Sequence, residues 1–243
     1  MKKNNFAILI STYDGAEDLW KPLEESYQRY WPQSSRKIYL TTNEKEFDSE
    51  LFISLSVGDE VSWSDNILKS LEKIEEEYVL LTFDDLFLNS KVDDELVEGY
   101  FDWVKDNNAN YFQFYRSVGK KAIIDDFVLE KSKESKYRNA TVFSLWKKEV
   151  LISLLLRDEN AWEFETKGNE RAGQLSGFYC SRHNVFSYYN GVVKGKWNPI
   201  IKNRLLSIGY SVNIEAREQF TTSELISYEM KKVAYSIRRK LSR

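Results

Sequence analysis

Short apolar segments alternate with longer amphipathic ones through the first half of this 243-residue chain, and this alternation most constrains its fold. Runs with the length and residue types of buried β-strands occupy residues 6–12, 37–42, 51–56, 78–83 and 111–116. Segments with apolar residues at helical spacing occupy residues 16–30, 63–76 and 92–105. Such alternation is typical of a parallel sheet covered by helices on both faces. The sequence therefore predicts an α/β fold with a mostly parallel, Rossmann-like sheet.

Polar residues end three of the predicted strands. They are Thr12-Tyr13-Asp14, Thr42-Asn43 and Asp84-Asp85. The carboxyl ends of parallel strands meet at one edge of the sheet because the connections between them are right-handed. Ligands of such sheets bind at that edge, near the point where the strand order reverses. We therefore expect a ligand site where these polar residues come together.

The composition excludes several classes of function. The chain has one cysteine, Cys180, and one histidine, His183, which leaves too few residues for a Cys/His zinc site. Its net charge of −3 argues against a nucleic-acid partner. A lone cysteine fits a reducing compartment, and no apolar run is long enough to span a bilayer or to act as a signal peptide. We expect a cytoplasmic protein.

The carboxylate pair Asp84-Asp85 suits a divalent cation, which prefers oxygen ligands and could bridge the phosphates of a diphosphate. Successive strand residues point to opposite faces, so both acids can serve one ligand only if the chain bends there. The alternative is that the two acids merely end a strand.

Several segments resemble glycosyltransferases of the GT-A fold. Residues 6–14, an apolar strand ending in Ser-Thr-Tyr-Asp, look like the opening of that superfamily, and residues 78–88 are similar to the strand that carries its acidic metal motif. The motif there is usually Asp-x-Asp, whereas this chain has Phe-Asp-Asp. Residues 63–68 (Trp-Ser-Asp-Asn-Ile-Leu) resemble the segment that closes over the nucleoside. Residues 146–149 and 162–165 resemble acceptor-side segments of bacterial polysaccharide glycosyltransferases.

The resemblance implies a donor site for a nucleotide-diphosphate sugar. Its residues would be Thr12, Tyr13, Asp14, Asp65 and Asp84. Tyr13 would stack on the base, and Asp65 would hydrogen-bond the base or ribose. Ordinary packing of Tyr13 and helix capping by Asp65 are the alternatives. Asp85 and Asp84 would hold a divalent cation, Mn²⁺ or Mg²⁺.

An inverting transfer also needs a general base that removes the acceptor hydroxyl proton. By the same resemblance this base is Glu165, with Glu163 as second candidate, and Trp162 would stack under an acceptor sugar. The two glutamates would share a side of an extended segment but diverge on a helix. The alternatives are a solvated helix start and a core tryptophan.

The C-terminal segment has a basic, amphipathic pattern. We predict one GT-A-like domain over residues 1–212 and a helical tail over residues 213–243, with a charged, irregular loop at residues 125–139. The tail's apolar residues at helical spacing are Ile226, Met230, Val233, Ala234, Ile237 and Leu241, and its basic residues are Lys231, Lys232, Arg238, Arg239, Lys240 and Arg243. Such a helix could attach the protein to the inner face of a membrane, where a lipid-linked acceptor would lie, or could dock on the domain.

The resemblance thus implies an enzyme that moves a sugar from a nucleotide-diphosphate donor to an acceptor hydroxyl in surface polysaccharide synthesis. A sugar nucleotidyltransferase and a nucleotide-sugar-binding module without catalysis are the alternatives. The nucleotidyltransferase would need a glycine-rich, basic phosphate loop after the first strand. Residues 11–15 (Ser-Thr-Tyr-Asp-Gly) are neither glycine-rich nor basic.

Overall fold

A computed structural model describes residues 6–116 and 121–241, with side chains as far as residue 231. In these ranges the strands are β1 (Ala7–Ser11), β2 (Ile38–Thr42), β3 (Phe52–Ser56), β4 (Tyr78–Phe83), β5 (Leu86–Leu88), β6 (Tyr111–Gln113), β7 (Lys121–Ile123), β8 (Val128–Lys131), β9 (Ser144–Lys147), β10 (Phe178–Ser181), β11 (Tyr188–Asn190), β12 (Val192–Val193) and β13 (Lys196–Trp197). The helices are α1 (Glu17–Tyr30), α2 (Trp63–Lys73), α3 (Asp94–Asp106), α4 (Lys148–Leu154), α5 (Ala161–Gly173), α6 (Pro199–Ser207) and α7 (Thr222–Leu241).

Nine strands form the central sheet in the order β3-β2-β1-β4-β9-β6-β10-β8-β7. The first four are parallel to one another, β9 is antiparallel to both of its neighbours, and β6 and β10 are parallel. The chain leaves β1 on one side toward β2 and β3 and returns to its other side as β4. The strand order therefore reverses between β1 and β4, which is where open α/β sheets bind ligands.

The centre of the sheet is buried on both faces, as the apolar composition of β1 and β4 predicts. In β1, Ile8 and Ile10 pack in one hydrophobic cluster, whereas Ala7 and Leu9 pack in the other. Side chains of α1 and α3 cover the first face, and side chains of α2, α4 and α5 cover the second. Alternate strand residues point to opposite faces, so an apolar run without polar interruption is what a strand between two helical layers requires. The predicted α/β fold is confirmed.

The prediction of an irregular charged loop over residues 125–139 is wrong for residues 128–131, which form β8. Lys131 and Arg138 are both about 1% exposed. The Lys131 ammonium donates to Gln113 Oε1 at 2.9 Å and to the Tyr137 carbonyl at 3.0 Å. Burial lowers the pKa of Lys131 to about 7. A charged sequence predicts a surface loop. It does not show the hydrogen-bond partners that allow the Lys131 side chain to be buried.

The helical tail predicted at the C-terminus is confirmed for its backbone by α7. Residues just before α7, beyond the boundary predicted at 212, bond to strand β13 of the domain: the Trp197 N–H donates to the Glu218 carbonyl at 2.8 Å, and the Phe220 N–H donates to the Trp197 carbonyl at 2.9 Å. The predicted apolar and basic pattern from Lys232 onward lies outside the described side chains, and Arg243 lies outside the described residues. No helix in the described ranges is both long and apolar enough to cross a bilayer.

Candidate active site

The two acids of the predicted metal site lie in a tight turn at the point where the strand order reverses. β4 ends at Phe83, which pairs with Ser11 at the end of β1, and β5 begins at Leu86. Asp84 and Asp85 form the turn between β4 and β5. The bend that the sequence required for both acids to serve one ligand is therefore present.

Thr12 connects the ends of β1 and β4. Its hydroxyl donates to Asp84 Oδ2 at 2.5 Å and accepts the indole N–H of Trp20 at 2.9 Å. Burial raises the pKa of Asp84 to about 6, although the Thr12 hydrogen bond opposes this. Burial and the neighbouring charge of Asp84 raise the pKa of Asp85 to about 7. The pair is thus desolvated and mutually repelling, which is how acids at functional sites are often arranged.

Neither acid forms an ion pair within the described part of the chain. The positive charge of Arg217 lowers the pKa of both Asp84 and Asp85. The Arg217 guanidinium itself, however, donates to the Asp18 carboxylate at 2.8 and 3.1 Å. The described ranges contain no group of three or more His, Cys, Asp or Glu that could hold a metal. Mg²⁺ is usually bound by one or two carboxylates together with water and substrate phosphates. The pair Asp84-Asp85 fits that pattern, because a cation would relieve its repulsion.

Asp14 joins the loops that follow β1 and β2. Its carboxylate accepts the backbone N–H groups of Asn43 at 2.8 Å, Glu44 at 2.9 Å and Lys45 at 3.1 Å, and its own N–H donates to Asn43 Oδ1 at 3.1 Å. Burial raises the pKa of Asp14, but the three backbone hydrogen bonds outweigh burial and lower the pKa overall. The structure thus gives Asp14 a loop-bridging role that the sequence did not reveal, and nucleoside binding by Asp14 stays a prediction.

Tyr13 is accessible at the same sheet edge. Its side chain is 41% exposed, and its ring folds over Gly15 so closely that a Cβ there would lie 2.4 Å from Tyr13 Cε2. Glycine therefore permits the ring to take this position. An exposed aromatic ring next in sequence to Thr12, which bonds to Asp84, suits the predicted stacking on a base.

Asp65 lies in the first turn of α2 and is about 1% exposed. Its carboxylate pairs with Lys69 at 2.8 Å and with Arg157. Helix capping by Asp65 is wrong, because Ser62 is the cap and accepts the Asp65 N–H at 3.1 Å. The predicted contact with a nucleoside would require one of the two cations to move, and it stays a prediction.

The two candidate bases diverge because residues 162–165 lie in helix α5. Glu163 forms a capping box with Asn160 and pairs with Lys167 at 2.8 Å, and the Lys167 hydrogen bond lowers its pKa. Glu163 therefore lies at a solvated helix start, which is the alternative to its role as a base. Trp162 is 67% exposed, so the alternative of a core tryptophan is wrong.

Glu165 turns toward the sheet edge. Its Oε1 accepts both the N–H and the hydroxyl of Thr141 at 2.7 Å. Thr141 precedes Ser144 by three residues, and Ser144 pairs with Leu81 of β4, so Thr141 lies at the end of the sheet where Asp84 lies. Of the two predicted bases, Glu165 is therefore the one on the side of the donor site.

Arg217 is a site residue that the sequence did not single out. Besides Asp18, it donates to the Gly195 carbonyl at 3.1 Å and thereby bonds to two other segments of the chain. Its side chain is only 11% exposed. Arg217 follows the acids by more than a hundred residues in an irregular segment, and no motif marks it.

No protein-family profile matches the sequence, and no curated protein is significantly similar to it. Solved structures are similar in fold. The chain resembles residues 1–349 of S. aureus TarS with a TM-score of 0.52 at 11% identity, over 76% of this chain and 59% of that one. The same protein in complex with UDP gives a TM-score of 0.50 at 10% identity, over 86% of this chain and 67% of that one. UDP-glucose pyrophosphorylase without ligand gives a TM-score of 0.50 at 7% identity, over 76% of this chain and 92% of that one.

These likenesses, at such low identity, define the class of fold. It is the GT-A-type α/β fold, as the resemblance in the sequence implied. The chain spans about three fifths of the TarS chain it matches.

Proposed function

We propose that this protein is a glycosyltransferase that moves a sugar from a nucleotide-diphosphate donor to an acceptor hydroxyl, with inversion, in the synthesis of a surface polysaccharide. The observation that carries the proposal is the desolvated pair Asp84-Asp85, which stands without an ion-pair partner in the described ranges at the point where the strand order reverses. TarS, which shares the fold, was crystallised in complex with UDP.

In this proposal the nucleoside lies between the loops after β1 and β2. Tyr13 stacks on the base, and Thr12 and Asp14 fix the shape of the pocket through their bonds to Asp84 and to residues 43–45. Asp85 and Asp84 would hold a divalent cation, Mn²⁺ or Mg²⁺, which would supply positive charge to the diphosphate leaving group. Arg217 adds a fixed positive charge on the same side.

Transfer with inversion forms a bond from the acceptor oxygen to the anomeric carbon and breaks the bond from that carbon to the diphosphate. The acceptor proton passes to a carboxylate, for which Glu165 is the better placed of the two candidates. Both Thr141 bonds go to Oε1 of Glu165, so they orient the carboxylate and leave Oε2 to face an acceptor.

A sugar nucleotidyltransferase is the second candidate, favoured by the fold of UDP-glucose pyrophosphorylase. That chemistry needs backbone N–H groups after β1 to receive a triphosphate. Here the Asp14 N–H donates to Asn43 Oδ1 and the Ala16 N–H donates to the Tyr13 carbonyl. Two N–H groups of the loop are therefore already used, which favours the glycosyltransferase.

Product analysis separates the two candidates. A panel of UDP- and GDP-sugars with Mn²⁺ and a mixture of simple glycosides as acceptors should release the nucleoside diphosphate. The same enzyme with UTP or GTP and sugar 1-phosphates should release no pyrophosphate. Release of pyrophosphate without release of nucleoside diphosphate would contradict the proposal and establish the second candidate.

A further inference from the structure

One edge of the central sheet carries apolar side chains that are exposed. In the described ranges β7 is the last strand at that edge, and β8 is its neighbour. Ile123 in β7 is 68% exposed, and Ile124 and Phe127, which follow it, are 47% and 60% exposed. Proteins usually protect sheet edges with charges, prolines or bulges, because an edge strand can pair with a strand of another chain. Three exposed apolar residues among five consecutive ones therefore indicate an interaction surface.

The backbone of Ile123 faces away from β8. The Ile124 N–H donates to the Val128 carbonyl at 3.1 Å, and Ile123 lies opposite Leu129. Along an antiparallel pair, residues that bond to the neighbouring strand alternate with residues whose N–H and C=O point to the other side. Ile123 therefore directs both of these groups outward, where a strand of another chain could bond to them.

A second copy of the same strand complements this edge. In an antiparallel pair of two β7 strands centred on Ile123, the two Ile123 residues lie opposite each other and exchange both backbone hydrogen bonds. The same register places Lys121 opposite Asp125, and Ala122 opposite Ile124, in both halves of the pair. Basic residues then face acidic ones, and a small side chain faces a large one. The five residues are thus complementary to themselves in charge and in size.

The charge match depends on the signs of the charges and does not require free side chains. Asp125 accepts the N–H groups of Phe127 and Val128 at 2.7 Å, and Lys121 also has an interaction within its own chain. Both charged side chains belong to partly exposed residues. Opposite charges directly across a strand pair favour pairing, whereas like charges oppose it. The pattern therefore favours the antiparallel pair, because a parallel pair in register would place each charge beside its like.

We propose that the protein forms a two-fold dimer in which two β7 strands pair antiparallel and join two nine-stranded sheets into one. This inference goes beyond the proposed function and does not depend on it. An interface made by one strand edge and a few apolar side chains is smaller than that of a permanent dimer, so we expect a concentration-dependent equilibrium. The interface lies five strand spacings, about 24 Å, from β4, which leads into the candidate donor site.

Sedimentation equilibrium of the full chain, at concentrations from about 10 µM to about 500 µM, tests the dimer. We expect the average mass to rise with concentration from 28.7 kDa toward twice that value. Ile123→Lys puts two ammonium groups opposite each other and should weaken association by about tenfold or more. Ile53→Lys is the matched control, because Ile53 is 44% exposed on β3, the edge strand at the other end of the sheet. This control should associate like the unmodified protein.

Cysteine cross-linking tests the register of the pair. Ile123→Cys should form a disulfide between two copies on mild oxidation, because opposite residues that exchange hydrogen bonds have Cα atoms about 5.5 Å apart, which a disulfide can span. The native Cys180 is buried and should not compete. Ile124→Cys should lose the cross-link, since the residue opposite it is Ala122.

A mass that stays at 28.7 kDa at every concentration overturns the proposal. So does a dimer that persists in Ile123→Lys, a dimer that is lost in Ile53→Lys, or equal cross-linking by Ile123→Cys and Ile124→Cys. Melting temperatures at the lowest concentration show whether each variant folds. Should Ile123→Lys unfold, Lys121→Glu replaces it, because this change puts a second carboxylate opposite Asp125 and should weaken association in the same way.

Discussion

The hydroxyl of Thr12 serves two partners at once, because it accepts from the Trp20 indole and donates to Asp84. A single side chain thus orients an acid of the candidate site and satisfies a buried donor of α1. Removing the hydroxyl would leave the Trp20 N–H buried without this acceptor and would withdraw the side-chain hydrogen bond that opposes the raised pKa of Asp84.

We therefore expect Thr12→Val, which conserves shape, to lower the free energy of unfolding by about 1–3 kcal/mol. Urea denaturation measures this change. Thr42→Val is the matched control at the end of the neighbouring strand, since the buried Thr42 hydroxyl has no hydrogen-bond partner in the described structure. That substitution should be neutral or slightly stabilising, and equal losses in the two variants would contradict the role given to the Thr12 hydroxyl.

The acid pair should make stability depend on pH. The pKa of Asp85 rises on folding from its usual 3.8 to about 7, so the folded state binds protons more tightly than the unfolded state. The stability that this group contributes is fully present below about pH 4 and is lost as the pH rises through about 7.

Between pH 7 and pH 4, without metal or nucleotide, the unmodified protein should gain about 3 kcal/mol relative to Asp85→Asn. Thermal unfolding at each pH, compared between the two proteins, measures this gain. The control is Asp126→Asn, whose parent side chain is 95% exposed and which should show no such gain. A constant difference between the unmodified protein and Asp85→Asn across this range would mean that the acid is not desolvated.

At the scale of elements, the sequence predicts well the parts whose pattern is local. The strands β1 and β4 at the centre of the sheet are largely apolar, and all eight predicted strands and helices, including β4 and α1, have counterparts at the expected places. The position of Asp84-Asp85 at the end of β4 follows from that pattern alone. The sequence does not show contacts between residues that are far apart in the chain. Examples are the three backbone N–H groups that donate to Asp14, the bond from buried Lys131 to Gln113, and the ion pair of Arg217 with Asp18.

The turn after β1 offers a test of base stacking by Tyr13. A Cβ at Gly15 would overlap the ring, so Gly15→Ala must displace it. We expect Gly15→Ala to weaken UDP binding about as much as Tyr13→Ala does, by about tenfold, with little change in melting temperature. Gly99→Ala, in helix α3 where a Cβ meets nothing within 4 Å, is the control. Unchanged UDP affinity in Gly15→Ala would show that the ring position does not matter.

At the scale of the whole molecule, the candidate site is assembled from the N-terminal strands and from a segment more than a hundred residues later. Arg217 and the contacts of Trp197 with residues 218–220 attach the segment before α7 to the domain. Helix α7 thus begins at a fixed point near the site and then runs to residue 241.

The basic pattern of this helix predicts binding to anionic membranes. We expect the protein to sediment with vesicles that contain phosphatidylglycerol, and not with pure phosphatidylcholine, at low salt. Replacing Lys231, Lys232, Arg238, Arg239 and Lys240 by glutamine should abolish the sedimentation while leaving UDP binding intact. Sedimentation that persists in this variant would assign the membrane contact to another surface.

The central claim is that the sheet edge holds a nucleotide-diphosphate donor through Asp84 and Asp85. Calorimetry with UDP and with GDP, each with and without Mn²⁺, tests it most directly in the unmodified protein and in the Asp84→Asn/Asp85→Asn variant. We predict that one of the nucleotides binds, that Mn²⁺ strengthens its binding, and that the variant loses the Mn²⁺-dependent gain. Absence of binding of either nucleotide with or without Mn²⁺, or a full Mn²⁺-dependent gain in the variant, would contradict the claim.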